Sequence, residues 1–435
     1  MGVSASQAGT QSTPAARPGE AARMSRYRLL FARLLTNQWA TAALIFVFTR
    51  LFALAGGYTG ANRLVRDNPE YSAGWLAEMS LMWDAAHYAT IASDSYAFDP
   101  AAPAGANVAF PPLFPFLLSL LSGLLRWVSF GSDWGNGDYG AIIVAGLLIS
   151  NVSFFVALGL LLKWLAPRLG HAGAAMVALA LASMPTAFFF SAIYTESLFL
   201  ALVLGAFLLA RSEWRWKWLC VGLLALLATL TRFAGALLLP VLAVDYLAQT
   251  GWRWRKVRPD ALWLGLVPAG VLLYMGFLWW RFGDPLAMNK SMEQGWDHTA
   301  SFFLGTYWNS LADLWKSLTG GFPPGQDTVL YYGQGSRLYL LLDLALPVLL
   351  VAGGFLARRK LLASEWAWLA LGIIYPLSFN ITFSMARYVL PLWPGLIWLG
   401  TLRGRMRWLA LGAVVPALLL MAWCASKYAS ARWIG

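Results

Sequence analysis

Residues 140–164 read GAIIVAGLLISNVSFFVALGLLLKW, an apolar run that carries a single charged residue, Lys163. An α-helix of about 20 apolar residues crosses the hydrocarbon core of a bilayer, because each residue adds about 1.5 Å of length. The run is too long for a β-strand and lacks the alternation that is typical of a membrane β-barrel. It predicts a transmembrane helix, and similar runs recur along the chain.

The composition indicates an integral membrane protein. Hydrophobic residues make up 59% of the 435-residue chain and charged residues 12%, whereas a soluble protein carries about 25% charged residues. The net charge of +12 would suit nucleic acid, but the basic residues lie in short loops beside apolar runs, as in the cytoplasmic loops of membrane proteins. We therefore expect membrane lipids and no nucleic acid among its partners. Cys220 and Cys424 lie in apolar runs and predict no disulfide framework.

We divide the chain into a tail and one membrane domain. Residues 1–35 predict a disordered, basic cytoplasmic tail. Residues 36–435 predict a single all-α polytopic domain. Its two longer polar stretches are 58–107 and 282–336, and the first carries six acids against two arginines. We place both stretches on the extracytoplasmic face, because the basic clusters lie in other loops.

Twelve apolar segments predict a bundle of roughly 10–13 transmembrane helices. The segments are 38–57, 109–130, 140–164, 171–194, 196–211, 217–231, 233–249, 261–281, 337–357, 364–382, 387–402 and 408–426. Basic clusters that mark cytoplasmic loops are Arg211/Arg215/Lys217, Arg253/Arg255/Lys256/Arg258, Arg358/Arg359/Lys360 and Arg403/Arg405/Arg407.

The number of segments conflicts with the topology between residues 107 and 211. An external 58–107 stretch and a cytoplasmic 211–217 loop require an odd number of crossings, yet four segments lie between them. One of the four must be re-entrant, broken or interfacial. The Met184-Pro185 step is our candidate for a break, because proline removes a helix hydrogen bond.

The polar sequence WDAAHY, residues 83–88, lies in the first external stretch. In a helix, Asp84, His87 and Tyr88 would share one face, since they are three and four residues apart. A carboxylate beside an imidazole can accept the proton of a hydroxyl group or bind a sugar. The same residues also suit a solvated amphipathic helix on the membrane surface, so the pattern alone leaves both interpretations open.

Three further ionisable residues flank or interrupt apolar segments. Glu196, in YTES, begins a span, where it can stabilise the helix dipole or serve a function. Arg232, in TRFAG, and Arg387, followed by Tyr388, each need a counter-charge, a carbonyl cage or an anionic ligand. An intramembrane ion pair or a lipid phosphate would satisfy either arginine.

The second external stretch contains Gln294, Trp296 and His298. Aromatic side chains interleaved with amides suit sugar stacking and hydroxyl bonding, and they suit any interfacial loop as well. His87 and His298 could share a metal with Asp84, but their spacing does not indicate one. We expect no required cofactor, although a divalent metal would be compatible with these side chains.

Several classes of protein can be weighed against this pattern. The sequence shows no glycine-rich phosphate loop with a lysine and no nucleotide-binding α/β domain, which argues against an ATP-driven pump and a cytosolic nucleotide-sugar donor. A transporter or lipid flippase stays an alternative, although it would usually show internal repeats and we find none. A non-catalytic membrane subunit of a transferase complex is the other alternative.

The order of the motifs is more specific than any one of them. It runs WDxxHY (83–88), AFPPLFP (109–115), YTES (194–197), TRFAG (231–235), GDPL (283–286), Gln294 with Trp296, and Arg387-Tyr388 with Pro391 and Pro394. From about residue 40 to 400 the chain resembles the bacterial relatives of the GPI mannosyltransferase 2 (PIG-V) family, within the GT-C glycosyltransferases. The family commonly has FPLYP where this chain has FPPLFP, and Gly where it has Ser95. These departures weaken the assignment of the sub-family and of the acceptor, but they do not weaken the assignment of the reaction class.

The resemblance implies a GT-C-like bundle whose long first extracytoplasmic loop carries interfacial helices. It also implies an inverting transfer of a sugar, which we expect to be mannose, from a polyprenyl-phosphate donor. The acceptor would be a lipid, a glycan or a protein on the extracytoplasmic side of a bacterial cytoplasmic membrane. The family's catalytic acid maps onto Asp84, and Glu196 matches its second acidic position.

The remaining candidates are expected to bind substrate. They are Trp83, His87, Tyr88, Tyr194, Arg232, Gln294, Trp296, Arg387 and Tyr388. Arg387 is our first choice for the residue that stabilises the departing phosphate, and Arg232 is our second choice. We expect Asp84 to deprotonate the acceptor hydroxyl.

Overall fold

A computed structural model describes residues 37–67, 75–128, 139–296, 298–320, 337–380, 382 and 384–431. These residues form α-helices joined by turns and short 3-10 helices, and their one β-type pairing is a bridge between Ala300 and Phe379. The all-α class predicted from the sequence is confirmed. The predicted tail, 1–35, lies outside the described residues.

Seventeen α-helices occupy the described residues, in the following order. They are α1 Gln38–Asp67, α2 Trp75–Ser80, α3 Asp84–Asp94, α4 Leu113–Trp127, α5 Tyr139–Leu169, α6 His171–Ala182, α7 Glu196–Ala210, α8 Lys217–Thr231, α9 Leu238–Gln249, α10 Leu266–Phe282, α11 Ala287–Trp296, α12 Phe303–Thr319, α13 Arg337–Leu356, α14 Ala363–Leu377, α15 Met385–Tyr388, α16 Ile397–Thr401 and α17 Gly404–Ala429.

Five helical segments in the described part of the chain are long and apolar enough to cross a membrane. They are Gln38–Asp67, Tyr139–Leu169, Pro259–Phe282, Leu338–Leu356 and Gly404–Ala429. Shorter apolar helices cover Leu113–Trp127, His171–Ala182, Glu196–Ala210, Lys217–Thr231 and Phe233–Gln249. The structure is therefore that of a polytopic membrane protein, as the apolar runs predict.

The first and last long helices pack closely because two glycines of α1 face the backbone of α17. A Cβ atom at Gly56 would lie 2.1 Å from the carbonyl oxygen of Ala422, and one at Gly60 would lie 2.0 Å from that of Ser426. Small residues four apart allow two membrane helices to approach at backbone distance. This contact brings the carboxyl-terminal helix against the segment that leads into α3.

The predicted break at the Met184-Pro185 step is present. Helix α6 ends at Ala182, and a 3-10 helix at Ala187–Phe190 precedes α7. Arg50 of α1 satisfies carbonyls that the break exposes, since Nη2 donates to Ala182 at 2.7 Å and Nη1 donates to Ala187 at 2.6 Å. A carbonyl cage therefore holds this buried guanidinium.

Two predicted span boundaries are wrong. The span predicted at 38–57 continues as α1 to Asp67, because Ala61 and Leu64 of its polar extension are buried against the rest of the molecule. The span predicted at 387–402 is not one helix. It is divided into α15, a 3-10 helix at Trp393–Leu396 and α16, since prolines in this segment cannot donate helix hydrogen bonds.

Candidate active site

Asp84 is the first residue of α3, and a constrained turn holds it there. The preceding Trp83 has φ 58°, a positive value that is uncommon for a residue with a side chain of this size. Two buried tyrosines hold the turn: the backbone N–H of Asp84 donates to the Tyr194 hydroxyl at 3.2 Å, and the Tyr428 hydroxyl donates to the Met82 carbonyl at 2.9 Å. A carboxylate at a helix amino terminus is also favoured by the helix dipole.

Arg387 joins the two candidate acids. Its Nη1 lies 2.8 Å from Oδ2 of Asp84, and its Nε lies 2.6 Å from Oε1 of Glu196. This contact with Glu196 is an ion pair and not a hydrogen bond, because the N–H of Nε does not point at the carboxylate oxygen. Nη1 of Arg232 donates to the same oxygen of Glu196. The structure thus brings together four residues predicted separately, as a network of two carboxylates and two guanidinium groups.

Burial separates the roles of the two acids. The Glu196 side chain is fully buried and that of Asp84 is 13% exposed. A buried charge requires partners, because removal from water is costly. Glu196 meets this need by holding both arginines, while Asp84 keeps access to solvent. Oε2 of Glu196 has no hydrogen-bond partner among the described residues.

The TRFAG motif positions Arg232 by ending a helix. Helix α8 stops at Thr231, and Arg232 is extended, with φ −149° and ψ 137°. The chain then turns into a 3-10 helix, and a Cβ atom at Gly235 would lie 2.4 Å from the backbone nitrogen of Thr229. Glycine is therefore required for the chain to fold back here, and this fold aims Arg232 at Glu196.

Arg387 lies on the four-residue helix α15, which its neighbours hold on two sides. The backbone N–H of Ala386 donates to Oδ1 of Asp343 at 2.6 Å, and the Thr186 hydroxyl donates to the Ala386 carbonyl at 2.8 Å. Ser384, before the helix, has φ 65°. Two separate parts of the chain, at Asp343 and at Thr186, therefore fix the backbone that carries Arg387.

Asp84, Arg232 and Arg387 line an open cavity of about 110 Å³. The other lining residues are Tyr88, Ala109, Phe110, Pro111, Thr195, Thr231, Phe233, Ala234, Met292, Trp296, His298, Tyr375, Ser384 and Tyr388. Charged groups and aromatic rings thus face the same space. Such a lining suits a polar, hydroxyl-rich ligand that carries a negative charge.

His87 lies beside the cavity and not in its lining. The helix predicted around it is present, and its ring stacks on Phe110 at 4.8 Å between centroids and contacts Trp296 edge-on at 5.9 Å. Burial lowers the pKa of the His87 imidazole, although the nearby Asp84 carboxylate opposes that change. The imidazole is therefore neutral at pH 7. Its ring packs against Phe110 and Trp296, two aromatic side chains that line the cavity.

The other predicted binding residues fall into two groups. Tyr88, Trp296 and Tyr388 line the cavity, and the Arg232 guanidinium lies 5.1 Å from the Tyr388 ring centroid. Three others do not line it. Tyr194 is buried beneath Arg387, with its ring 4.9 Å from the guanidinium, while Trp83 forms the turn before α3 and Gln294 is exposed on α11.

Several residues of the site were not predicted in the role they have. Phe110 belongs to the AFPPLFP segment, whose prolines indicate a constrained backbone but do not indicate that this ring lines a cavity. His298, which the sequence places in the stretch that suits a sugar or a metal, lines the cavity, as does Tyr375. Asp343, a lone acid in an apolar helix, carried a signal that could have identified it. No three His, Cys, Asp or Glu side chains in the described part of the chain are grouped to hold a metal ion.

Fold and site together define a polytopic α-helical membrane protein with a buried carboxylate–arginine network beside an aromatic cavity. The model of the mannosyltransferase (PIG-V) family matches residues 64–246. The match relates the chain to these mannosyltransferases, which confirms the resemblance drawn from the motifs. It includes Asp84, Glu196 and Arg232, whereas Arg387 lies beyond it. No curated protein matches the chain significantly.

Similar solved structures come from an archaeal enzyme. The Archaeoglobus fulgidus oligosaccharyltransferase in complex with Zn and sulfate is 16% identical, with a TM-score of 0.45 over 90% of this chain and 53% of that one. The enzyme AglB of the same organism, in complex with an inhibitory peptide and a dolichol-phosphate, is 12% identical, with a TM-score of 0.41 over 91% of this chain and 56% of that one. The chain thus spans about half the length of these proteins.

Proposed function

We propose that this protein is a membrane glycosyltransferase that moves a sugar, mannose, from a polyprenyl-phosphate donor to an extracytoplasmic acceptor with inversion. The observation that carries the proposal is the position of Asp84, a partly exposed carboxylate held by Arg387 at the wall of an aromatic cavity. The match of residues 64–246 to the mannosyltransferase family supports the reaction class.

Asp84 supplies the base that an inverting displacement requires. The acceptor hydroxyl loses its proton to Oδ1 or Oδ2 of Asp84 as its oxygen bonds to the anomeric carbon of the sugar. The bond between that carbon and the phosphate oxygen breaks, and the polyprenyl phosphate leaves with the electron pair. The donor phosphate gains one negative charge in this step, so a nearby cation lowers the barrier.

The contacts of the two arginines support Arg232, rather than Arg387, as the residue for the phosphate. In an in-line displacement the leaving group departs on the side of the sugar opposite to the base. Arg387 touches Asp84 directly at 2.8 Å, which suits a residue that orients the base. Arg232 contacts Glu196 instead and lines the same cavity. We therefore reverse the order expected from the sequence.

Aromatic side chains of the cavity suit the sugar. Trp296 and Phe110 meet edge-on at 5.6 Å between centroids, and Tyr375 and Tyr388 also line the cavity. Rings of this kind bury the apolar face of a hexose while charged groups reach its hydroxyls. The mixed lining therefore supports a sugar phosphate as the bound part of the donor.

The substitution Asp84→Asn tests the assignment of the base. The amide cannot accept the acceptor's proton, so sugar transfer from a polyprenyl-phosphate mannose donor should fall by about 10²–10⁴-fold. Asp94→Asn is the matched control, since Asp94 ends the same helix on an exposed surface. The control should keep its rate. Near-normal turnover in a folded Asp84→Asn protein would exclude Asp84 as the base.

A further inference from the structure

A second cavity, of about 550 Å³, lies where α8, α9 and the segment before α10 meet. Four basic residues line it: Lys217, Arg255, Lys256 and Arg258. Its lining also includes Trp218 and Tyr246, two buried rings whose centroids are 4.6 Å apart. The volume falls within the range of small-molecule sites.

The positive charge of this basic cavity is not neutralised by the protein. Asp260 is the one acid in its lining, and it accepts a hydrogen bond from the Tyr246 hydroxyl at 2.7 Å. None of the four basic residues forms an ion pair with an acid among the described residues. The Lys217 ammonium donates to the amide oxygen of Gln249 at 3.3 Å and lies 5.8 Å from the centroid of the Trp218 ring. By contrast, the nearby Arg211 is paired with Asp245 at 2.6 Å. The cavity therefore presents a net positive charge to a ligand.

The basic cavity and the candidate active site lie at opposite ends of the same helices. Helix α8 has Lys217 at its first residue and Arg232 directly after its last. Its 15 residues span about 22 Å, because each residue rises 1.5 Å. Helix α7 likewise has Glu196 at its start and Arg211 just after its end. Because both helices are apolar, we expect the two sites to face opposite sides of the membrane.

Exposed tryptophans place the basic cavity at the depth of the lipid headgroups. Trp214, Trp216, Trp252 and Trp254 lie in the loops around it and are 46–74% exposed. Tryptophan is enriched where the hydrocarbon of a bilayer meets its headgroups. Basic side chains at this depth attract anionic lipids.

We propose that the basic cavity binds the phosphate headgroup of an anionic phospholipid. The phosphodiester carries a negative charge, which arginine side chains can bind through two parallel hydrogen bonds. The depth of the cavity favours a lipid over a soluble anion, since the surrounding tryptophans lie in the layer that lipid headgroups occupy. The bound lipid contacts the ends of α8 and α9 together, so its binding stabilises the folded protein. This inference does not depend on the proposed sugar transfer.

The test measures lipid binding to the full-length protein in a neutral detergent. Thermal unfolding is followed during titration with short-chain phosphatidylglycerol, with phosphatidylcholine of the same chain length, and with inorganic phosphate. The variant Arg255→Ala/Lys256→Ala removes two exposed cations of the basic cavity. The control variant Arg358→Ala/Arg359→Ala removes two exposed cations outside it.

We expect phosphatidylglycerol to raise the unfolding temperature more than the other two additives do. The affinity of Arg255→Ala/Lys256→Ala for phosphatidylglycerol should be roughly 25-fold weaker, since each basic residue near an anionic lipid contributes about fivefold. The control variant should bind as the wild type does. Equal losses in both variants would show general surface charge and overturn the proposal. An equal effect of inorganic phosphate would show a site for soluble anions and would also overturn it.

Discussion

Glu196 is the residue on which the charge network depends. It is fully buried and contacts both Arg232 and Arg387, whereas Asp84 contacts Arg387 alone. Removing the charge of Glu196 leaves Arg232 without a carboxylate partner and Arg387 with Asp84 alone. The two acids should therefore differ in how much they contribute to stability.

We predict that Glu196→Gln lowers the free energy of unfolding by about 3–5 kcal/mol, the range for breaking a buried ion pair. Asp84→Asn should cost less, because Arg387 keeps its contact with Glu196. Unfolding followed in one detergent for both variants checks the difference. Equal destabilisation would contradict the division into a structural acid and an accessible acid.

His87 should make the stability of the protein depend on pH. Burial lowers its pKa below the ordinary value of 6.5, so the unfolded chain takes up a proton at a higher pH than the folded one. The stabilisation of the folded protein by the neutral His87 imidazole is complete above pH 6.5. It is lost as the pH falls through and below that value. We expect His87→Phe, which keeps a ring against Phe110, to show a smaller fall in unfolding temperature between pH 7.5 and 5.5. An unchanged slope would exclude His87 as the source.

The residues of the site were largely predictable, but their pairing was not. An acid or arginine next to an apolar run is conspicuous, which identified Asp84, Glu196, Arg232 and Arg387. The sequence could not show that Glu196 forms ion pairs with both arginines, because Glu196 and Arg387 come together only through the packing of separate helices. The cavity rings are harder still to predict, since aromatic residues occur throughout a membrane protein.

Among the elements, α15 shows how a short helix can hold a residue of the candidate site in place. Four residues have too few internal hydrogen bonds to hold a conformation alone. The position of Arg387 therefore depends on contacts from other elements, in particular on Asp343 of α13, which accepts the Ala386 N–H at 2.6 Å.

We predict that Asp343→Leu lowers both the rate of sugar transfer and the stability. It leaves a buried N–H without an acceptor, at a cost of about 1–3 kcal/mol. Asp343→Asn keeps a side-chain oxygen for the same hydrogen bond and should stay close to the wild type. Comparison of rate and unfolding temperature for the two variants checks this. If they behave alike, the hydrogen bond to Ala386 does not position Arg387.

Helices were predicted best where apolar runs end in clear breaks. The span at 217–231 coincides with α8, whereas the one at 387–402 is three short elements. Mean hydropathy is the same for a straight helix and a broken apolar segment, so only proline indicated the difference. At Met184-Pro185 the conflict in crossing number added a second reason to expect a break.

At the scale of the whole molecule, the acid–arginine network and the basic cavity differ in the side of the membrane that we expect each to face. The acid–arginine network and the basic cavity are at opposite ends of the apolar helices α7 and α8, so we expect them to face opposite sides of the membrane. Basic loops favour the cytoplasm. We therefore expect the network to face the extracytoplasmic side.

Site-directed labelling tests this orientation in intact cells. In a background of Cys220→Ser and Cys424→Ala, a membrane-impermeant maleimide should modify Gln294→Cys from outside, because Gln294 is exposed near the candidate site. It should modify Arg255→Cys only after the membrane is opened, since Arg255 is exposed at the basic cavity. The reverse pattern would place the network in the cytoplasm. That result would make an extracytoplasmic acceptor untenable, because the base and the acceptor must meet on one side of the membrane.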